Sequence, residues 1–286
     1  MNRLLAAARR RAVVLTGAAA VGAVAVLAAA VPSASGAFSA RITNSQDLAA
    51  TAPYFRCDDA LAADRSAALF QWPLTDASGS TVVSDTSGNG RTGAYQGTTA
   101  ADASTPIACP RDGATAWRLD GSTNYADYPT AQSSPQVFTI EVAFQTTVKG
   151  GKLIGFGSAA TGASATYDRH LYINSAGLLV FGIYSGGCRT VVSKTVVTDG
   201  AWHHAAATLS SAGMKLYLDG ALVDSTTQWT TAETNNGYWR LGYDSLGGSW
   251  PNLPASPWFK GRLRDAAVYS SELTAQQIAA HAAPVR

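Results

Sequence analysis

A proline-rich segment with two tryptophans is the part of the sequence whose residue types most directly suggest binding chemistry. Residues 249–258 read SWPNLPASPW, with three prolines between Trp250 and Trp258. Because proline lacks the N–H that a sheet ladder needs, we predict a loop rather than a central strand. Loops lie at the surface, and a Trp ring combines apolar area with an N–H donor. The segment therefore predicts sugar stacking or contact with a protein partner. The alternative is a loop that folds back over the domain's own edge.

The adjacent histidines His203 and His204 are the residues that most suggest a metal site. Successive residues of a strand point to opposite faces of the sheet, so these two imidazoles would not reach one ion. His170 and His281 stand alone in the sequence, and no CxxC element typical of a zinc site occurs. We therefore interpret the histidine pair as structural.

The charge content is low and balanced, which excludes a dedicated nucleic-acid binder. Charged residues make up 14% of the 286, and the formal net charge is +2. In average proteins about a quarter of the residues are charged, and a nucleic-acid binder shows a basic stripe on its surface. Asp is common, but Glu occurs only at Glu141, Glu233 and Glu272, and Gly occurs 27 times. This composition favours strands and turns over helices.

The first 37 residues have the three parts of an export signal. A basic start with Arg3 and Arg9–Arg11 precedes an apolar run over residues 12–31, and small residues lead to Ala37. We predict a signal peptide over 1–37 and a secreted or cell-surface protein. The alternative is an uncleaved membrane anchor, because the apolar run is long enough to span a bilayer. Cleavage would remove four Arg and no acid and leave 17 bases against 19 acids, a net charge of −2.

Three cysteines remain in the exported chain, Cys57, Cys109 and Cys188. In an oxidising compartment one pair is expected, with one thiol left over. Spacing alone does not determine which two residues pair. We predict Cys57–Cys109, because that bond would tie the N-terminal segment to the rest of the domain.

The elements that must position these residues are short strands. Residues 38–66 form an N-terminal arm, and from Leu69 onward short apolar runs alternate with turn clusters, which indicates a sandwich or barrel. Apolar residues alternate over 138–144 and again over 214–218. Asp219-Gly220 then predicts a two-residue hairpin, because both positions accept positive φ.

One helix is well indicated at the C-terminus. Thr274 and Gln277 have the spacing of a capping box, and Leu273 and Ile278 have that of a hydrophobic staple. Pro284 marks the predicted end of the helix. Neither an internal repeat nor a domain break is evident between 69 and 283.

Four segments in order resemble LamG-like jellyroll domains of the concanavalin A-like lectin/glucanase group. The longest, residues 198–224, reads TDGAWHHAAATLSSAGMKLYLDGALVD and is similar to the family's DGxWHHVAxT…LYVDG core. Residues 85–93, 137–147 and 259–278 match the early DxSGNG loop, the FTIEAWF strand and the closing strand and helix. The resemblance covers residues 67–283. It implies an all-β fold, a two-sheet antiparallel jellyroll sandwich with a short C-terminal helix.

Catalysis is the most consequential activity that this resemblance raises. The group contains glucanases with two carboxylates in an E-x-D-x-E strand, and a retaining mechanism holds the two carboxyl groups about 5–5.5 Å apart. None of the three Glu begins such a motif. We therefore predict that the chain is not an enzyme, and we keep a glycoside hydrolase that uses Asp pairs as an alternative.

Calcium is the cofactor that the resemblance implies, since the family often holds this ion with loop oxygens. The oxygen-bearing candidates lie in predicted turns: Asp85, Asn89, Asp120, Asp244 and Asp265. No cofactor is certain, because Asp and Asn are also ordinary turn formers. The family usually has Asp-Glu where this chain has Arg264-Asp265, which puts a metal-linked role there in doubt.

The function that we predict is a secreted, non-catalytic binding module for an extracellular carbohydrate or a cell-surface protein. Trp250, Trp258 and Tyr243 are the predicted ligand-binding residues. The alternative is a structural surface, matrix or adhesion component, in which the unpaired cysteine links molecules. We expect no nucleic-acid partner, and membrane association only through an uncleaved N-terminal segment.

Overall fold

The computed structural model describes residues 54–113 and 115–285. Within these ranges the chain forms two antiparallel sheets packed face to face, which confirms the predicted all-β sandwich. The predicted signal or anchor over 1–37 and the first part of the arm lie outside the described residues. No helix in the described ranges is long and apolar enough to cross a bilayer.

The strands are short, as the frequent turn signals predict. In chain order they are β1 (Ala68–Trp72), β2 (Val82–Val83), β3 (Gly93–Gln96), β4 (Ala100–Asp102), β5 (Ala116–Asp120), β6 (Tyr125–Asp127), β7 (Gln132–Ser133), β8 (Phe138–Gln145), β9 (Lys152–Gly157), β10 (Tyr167–Ile173), β11 (Leu178–Tyr184), β12 (Cys188–Val196), β13 (Trp202–Ser210), β14 (Gly213–Leu218), β15 (Ala221–Thr226), β16 (Asn236–Leu241) and β17 (Lys260–Tyr269).

The two sheets differ in how their strands are ordered. The eight-stranded sheet runs β15-β14-β13-β8-β17-β5-β4, and β1 also pairs with β17. The nine-stranded sheet runs β12-β11-β10-β9-β16-β6-β3-β2, and β7 also pairs with β16. Strand β17 accommodates two partners on one side because its register shifts between Arg264 and Ala267, where Asp265 has a φ of 50°. Its first half pairs with β5 and its second half with β1.

The core lies between the sheets and follows the predicted alternation. Phe138, Ile140, Val142 and Phe144 of β8 are all buried in it. Trp239 of β16 packs edge-on against Phe138 at 5.5 Å between ring centroids. Burying apolar area at about 25 cal/mol per Å² makes this interface the main stabilising term of the fold.

The predicted hairpin and helix are both present. Asp219 and Gly220 have φ values of 53° and 80° between β14 and β15. Helix α2 (Ala275–Ala282), which follows helix α1 (Cys57–Ala63), begins with the predicted Thr274 and Gln277 capping box. Helix α2 packs on the outer face of the eight-stranded sheet through Ile278, which lies in one buried cluster with Tyr269.

A disulfide fastens the N-terminal segment to the sandwich. Cys57, the first residue of α1, is bonded to Cys109 with their Cα atoms 5.7 Å apart, and Cys188 is a free thiol. The Asp112 carboxylate also accepts the backbone N–H of Cys57 at 3.0 Å. Asp112 also accepts the backbone N–H of Asp58 and the Nε–H of Arg56, so the start of α1 is fixed to the 105–113 segment by one covalent bond and by hydrogen bonds to one carboxylate.

Candidate functional site

A cleft of about 320 Å³ opens on the outer face of the nine-stranded sheet; we call it the sheet cleft. It lies between the ends of β10, β11 and β12, the segment before β16, and the loop over residues 242–259, which we call the covering loop. The polar and aromatic side chains that line it are Thr166, Tyr167, Asp168, Tyr184, Cys188, Glu233, Asn235, Ser249 and Trp250.

The open part of the sheet cleft is aromatic. Tyr184 ends β11 and is 38% exposed. Tyr167 begins β10 and is half-buried, with the Lys152 Nζ 5.1 Å from its ring centroid. Because a tyrosine ring offers both an apolar face and a hydroxyl, this wall suits a ligand that has both apolar faces and hydroxyl groups.

The closed part of the sheet cleft is held by a buried ion pair between Asp168 and Arg169. Arg169 has a φ of 44°, and the β10 register shifts at this point. Its Nε donates to the Pro135 carbonyl at 2.8 Å, and its Nη2 donates to the Glu233 carbonyl. The Asp168 carboxylate also accepts the Tyr184 N–H at 3.2 Å. The pair therefore fixes the position of both walls.

Burial and charge act against each other in this pair. Desolvation raises the pKa of Asp168 above its ordinary value, and the neighbouring Arg169 guanidinium reduces that rise. Burial likewise lowers the pKa of Arg169, opposed by Asp168. A non-glycine residue with positive φ is uncommon and costs energy, so the tertiary contacts of Arg169 must maintain its conformation.

A layer of buried charge lies beside the cleft, between the sheet and the covering loop. Lys152 donates from Nζ to the Ser245 carbonyl at 2.7 Å, and burial lowers its pKa to about 8. Arg240 Nη1 lies 3.2 Å from Asp244 Oδ1. Asp244 Oδ2 occupies the space that a Cβ at Gly157 would fill, so only glycine fits there. These contacts fasten the start of the covering loop to the sheet.

Trp250 belongs to the covering loop, packs against the sheet and is 6% exposed. Its ring centroid lies 4.3 Å from that of His170, and a Cβ at Gly182 would come within 2.5 Å of the indole. Burial lowers the pKa of His170 well below its ordinary value. In the described ranges neither ring nitrogen of His170 has a hydrogen-bond partner. The loop thus folds back over its own sheet at Trp250, the alternative that the sequence left open.

Tyr243 and Trp258 lie together at the two ends of the covering loop. Their rings are stacked with centroids 3.6 Å apart and planes 8° from parallel, and both side chains are half-buried. Tyr125 of β6 meets both rings edge-on, and the Arg240 guanidinium lies 4.5 Å from the Tyr125 centroid. The structure therefore brings two of the three predicted binding residues together, whereas Trp250 contacts His170 instead.

Four of the five predicted calcium ligands are carboxylates, and each of these four already interacts with other groups of the protein. Asp85 accepts from the backbone N–H groups of Gln71, Ser87 and Arg91, and Asp120 accepts from those of Ser122 and Thr123. Asp244 is paired with Arg240. Asp265 lies against Arg264, and its burial raises its pKa to about 7.

The fifth predicted calcium ligand, Asn89, donates through Nδ2 to the Ala68 carbonyl at 2.9 Å. In the described ranges one group of three potential metal-ligating side chains converges, and it consists of Cys57, Cys109 and Asp112. Two of these residues form the disulfide. Calcium binding therefore stays a prediction without an assigned set of ligands.

The two histidines of β13 lie on opposite faces of the sheet, as strand geometry predicts. His203 lies between Asp219 at 2.9 Å and Asp199 at 3.1 Å, and its pKa is raised because the hydrogen bonds to these acids outweigh burial. His204 points the other way, with Nε2 3.4 Å from the Glu141 carboxylate.

Glu141 is the centre of a buried polar cluster that the sequence did not reveal. Its carboxylate lies 3.0 Å from His281 Nδ1 and accepts the Tyr269 hydroxyl at 2.7 Å. His281 Nε2 lies 3.0 Å from Asp64. Alternation placed Glu141 on the outer face of β8, but only the packing of α2 on that face encloses it. The cluster fastens α2 and the end of α1 to the eight-stranded sheet.

Known structures share this architecture at low sequence identity. The chain is similar to a structure of botulinum neurotoxin type C, whose cell entry depends on interaction with two ganglioside molecules. The TM-score is 0.53 and the sequence identity is 15%, over 77% of this chain and 51% of that one. The binding domain of botulinum neurotoxin DC in complex with rat synaptotagmin II gives 0.50 and 13%, over 75% and 51%. The chain spans about half the length of these structures, so the likeness shows the fold alone.

A further structure to which the chain is similar has a lower score. Domain 4 of AbnA, an extracellular arabinanase from Geobacillus stearothermophilus, in complex with arabinotriose, gives a TM-score of 0.49 and 16% identity over 75% of this chain and 98% of that one. No curated protein matches the sequence.

A family model matches residues 120–279, which is more than half of the 286 residues. The match spans β6 to α2 and includes the sheet cleft, the covering loop and the Glu141 strand. Together with the two-sheet jellyroll architecture, it shows that the chain belongs to the concanavalin A-like lectin/glucanases superfamily.

Proposed function

We propose that this chain is a secreted, non-catalytic binding module that holds an extracellular glycan in the sheet cleft. The observation that carries the proposal is the open aromatic wall at Tyr184 and Tyr167, which faces the carboxylate and amide side chains of Glu233 and Asn235. Aromatic faces stack on the apolar faces of sugar rings, and nearby oxygens and amides bind the hydroxyl groups.

The structural neighbours support a binding role without identifying the ligand. One of these neurotoxin proteins depends on two ganglioside molecules for cell entry, and another forms a complex with rat synaptotagmin II. A glycan and a surface protein therefore both occur among ligands of this architecture, although fold does not determine function. We favour the glycan because the sheet cleft is concave and small, whereas a stable protein interface buries about 800 Å² on each partner.

Export is supported by the disulfide, since such bonds persist in oxidising compartments. The predicted signal over 1–37 gives the route, with cleavage near Ala37 or retention as an anchor. N-terminal sequencing of the cell-free fraction distinguishes these outcomes. A mature chain that begins at Phe38 is expected.

A non-catalytic role is supported by the state of the carboxylates in the sheet cleft. Hydrolysis of a glycoside uses two carboxyl groups with distinct roles. Asp168 is ion-paired with Arg169 and accepts a backbone N–H, which leaves Glu233 as the lining carboxylate that is open to solvent. We expect no reducing ends to appear from a panel of polysaccharides, and their release would overturn this part of the proposal.

The sharpest test of the cleft replaces Tyr184 with alanine. We expect Tyr184→Ala to weaken binding of a neutral oligosaccharide, selected from a glycan array, by about tenfold, because an aromatic stacking contact contributes about 1 kcal/mol or more. Phe55→Ala is the matched control, since Phe55 is 56% exposed and lies outside the cleft. Calorimetric titration measures both variants. Equal affinity of Tyr184→Ala and the unchanged chain would reject the sheet cleft as the site.

The Tyr243 and Trp258 stack is the competing location for the same function. Trp258→Ala is expected to leave affinity within about twofold if the ligand lies in the sheet cleft. Cys188 gives an independent readout, because it lines the cleft and is a free, half-buried thiol. Bound oligosaccharide should slow alkylation of Cys188. Loss of binding in Trp258→Ala with no protection of Cys188 would move the site to the stack.

The structural alternative, a matrix or adhesion component, depends on Cys188 linking molecules. Burial raises the pKa of this thiol, which disfavours the reactive thiolate. We therefore expect the exported protein to run as a monomer on non-reducing gels. A dimer that disappears in Cys188→Ser would favour the structural role instead.

A further inference from the structure

A second groove, on the opposite side of the molecule from the sheet cleft, carries concentrated positive charge. It has a volume of about 420 Å³ and lies on the outer face of the eight-stranded sheet, where β4, β5, β17 and the end of β8 meet. We call it the cationic groove. The residues that give it its chemistry are Asp102, Arg118, Gln145, Thr146, Lys260 and Arg262.

Two arginines face each other directly across paired strands in this groove. Arg118 of β5 is the cross-strand partner of Arg262 of β17, and Lys260 lies two residues before Arg262 on the same face. Like charges at directly opposed positions destabilise a sheet. Asp102 offsets part of this charge, at 3.7 Å from Arg262. Three cations against one acid leave the groove with a local charge of about +2, whereas the exported chain as a whole is predicted to carry −2.

The three cations are not equivalent. The Arg262 guanidinium is committed to the protein, because it donates to the Ser104 and Pro106 carbonyls and to the Gln145 side chain. Arg118 and Lys260 are exposed, and their side chains make neither a hydrogen bond nor an ion pair with the described residues. Arg262 is therefore a fixed positive charge, and the other two are donors that remain available to a ligand.

We infer that the cationic groove binds the carboxylate or sulfate groups of an acidic polysaccharide. Guanidinium and ammonium groups bind oxyanions through charge-assisted hydrogen bonds. The remaining polar lining consists of amide and hydroxyl side chains such as Gln145 and Thr146, which suit sugar hydroxyl groups. No aromatic ring is in the groove's lining, and single-stranded nucleic acid relies on such rings for base stacking. The site is separate from the sheet cleft and does not depend on it.

The test compares a groove variant with a variant of equal charge change elsewhere. Arg118→Gln/Lys260→Gln removes both available donors, and Arg111→Gln/Lys194→Gln removes two exposed cations outside the groove. The probes are polygalacturonate, sulfated dextran and neutral dextran, titrated into the full chain at two salt concentrations. We expect polygalacturonate or sulfated dextran to bind, and neutral dextran not to bind at the groove. The two acidic probes distinguish carboxylate from sulfate as the anion.

The expected result is a loss of about tenfold in affinity for the bound polyanion in the groove variant, with the control within about twofold. The groove variant should also lose most of its salt dependence, since fewer counterions are released on binding. Tyr184→Ala should bind the polyanion normally, which separates this result from the test of the sheet cleft. Equal losses in the two charge variants would overturn the proposal, as would absence of binding to both acidic probes.

Two further outcomes are decisive. Polyglutamate or single-stranded DNA that binds as tightly as the acidic polysaccharide would overturn the assignment to a glycan. Thermal unfolding of Arg118→Gln should occur at the same midpoint as the unchanged chain or higher, because a like-charged cross-strand pair is relieved. A lower midpoint would show that Arg118 serves the fold, and it would overturn the binding role.

Discussion

The outer faces of the two sheets are covered in different ways. On the nine-stranded sheet an irregular loop covers a layer of buried charge, and its contacts with Lys152, His170 and Arg240 leave several polar atoms without partners. On the eight-stranded sheet a capped helix covers Glu141, whose carboxylate contacts two histidines and a tyrosine. A cover with satisfied polar groups stabilises the fold, whereas one with unpartnered groups opens at lower free energy. The covered face of the eight-stranded sheet therefore suits a structural role, and that of the nine-stranded sheet suits ligand exchange.

The largest expected effect is the removal of Glu141. Glu141→Ala would leave His204, His281 and Tyr269 buried without their shared acceptor, so we expect it to lower the free energy of unfolding by about 3–5 kcal/mol. Urea denaturation followed by far-UV circular dichroism measures the change. Glu272→Gln is the control, because its pair with Lys215 is partly exposed and contributes about 1 kcal/mol or less. A loss below 1 kcal/mol for Glu141→Ala would contradict the helix-clamping role.

Removal of Trp250 tests the other cover. Trp250→Ala leaves a cavity over Gly182 and is expected to cost about 3 kcal/mol, at the lower end for buried tryptophan because the loop is able to collapse. Hydrogen exchange should show the loss confined to the covering loop and β10–β11 rather than spread over the molecule. Uniform loss of protection, α2 included, would show that the two covers are one cooperative unit.

The smallest expected effect is a pH dependence of stability that arises from His281 on the eight-stranded sheet. His281 is enclosed by Glu141, Asp64, His204 and Tyr269, and its pKa is raised to about 9 by the two carboxylates, which outweigh the opposing effect of burial. A raised pKa means that the stabilisation is complete below about 6.5, the value for an unfolded histidine, and is lost as pH rises through 9. Burial raises the pKa of Glu141, but the charge on His281 and the hydrogen bonds from both histidines outweigh it and lower the pKa, so the contribution of Glu141 is lost only in acid, below about 4.5.

Lys152, whose lowered pKa is about 8, acts in the opposite direction over this range, so the effect of His281 is measured as a difference between two chains. We expect the stability advantage of the unchanged chain over His281→Gln to fall by about 2 kcal/mol between pH 6 and pH 9.5, measured by urea denaturation of both chains. Glutamine retains a neutral hydrogen-bonding side chain at this position. The Tyr269 pKa is raised well above its ordinary value and adds no titration in this range. An advantage over His281→Gln that stays constant or grows between pH 6 and 9.5 would contradict the assignment of charge to His281.

The sequence predicted regular elements well because their signals are local. The 138–144 alternation, the Asp219-Gly220 turn and the Thr274 cap depend on neighbours within a few residues, and all three are present. The candidate site was less predictable. The wall of the sheet cleft comes from β10, β11 and the segment near Glu233, which are distant in sequence, and no local pattern marks Tyr184 or Asp168 as neighbours.

The covering loop illustrates the limit most directly. Its prolines predicted an irregular segment, and its tryptophans looked equivalent in the sequence. The structure buries Trp250 over Gly182 and leaves Trp258 half-buried on Tyr243. The difference arises because a glycine on a neighbouring strand makes room for one indole, a property of the partner strand rather than of the loop.

The sequence alone determined the fold class, the strand periods, the hairpin, the helix cap and the family, because each follows from residues close together in the chain or from motifs in a fixed order. Tertiary structure alone decided which charges became buried. Glu141 is on an outward-facing position of its strand, and the packing of α2 makes it the centre of a cluster. Arg118 and Arg262 are unrelated in sequence, and only antiparallel register sets them opposite each other in the cationic groove.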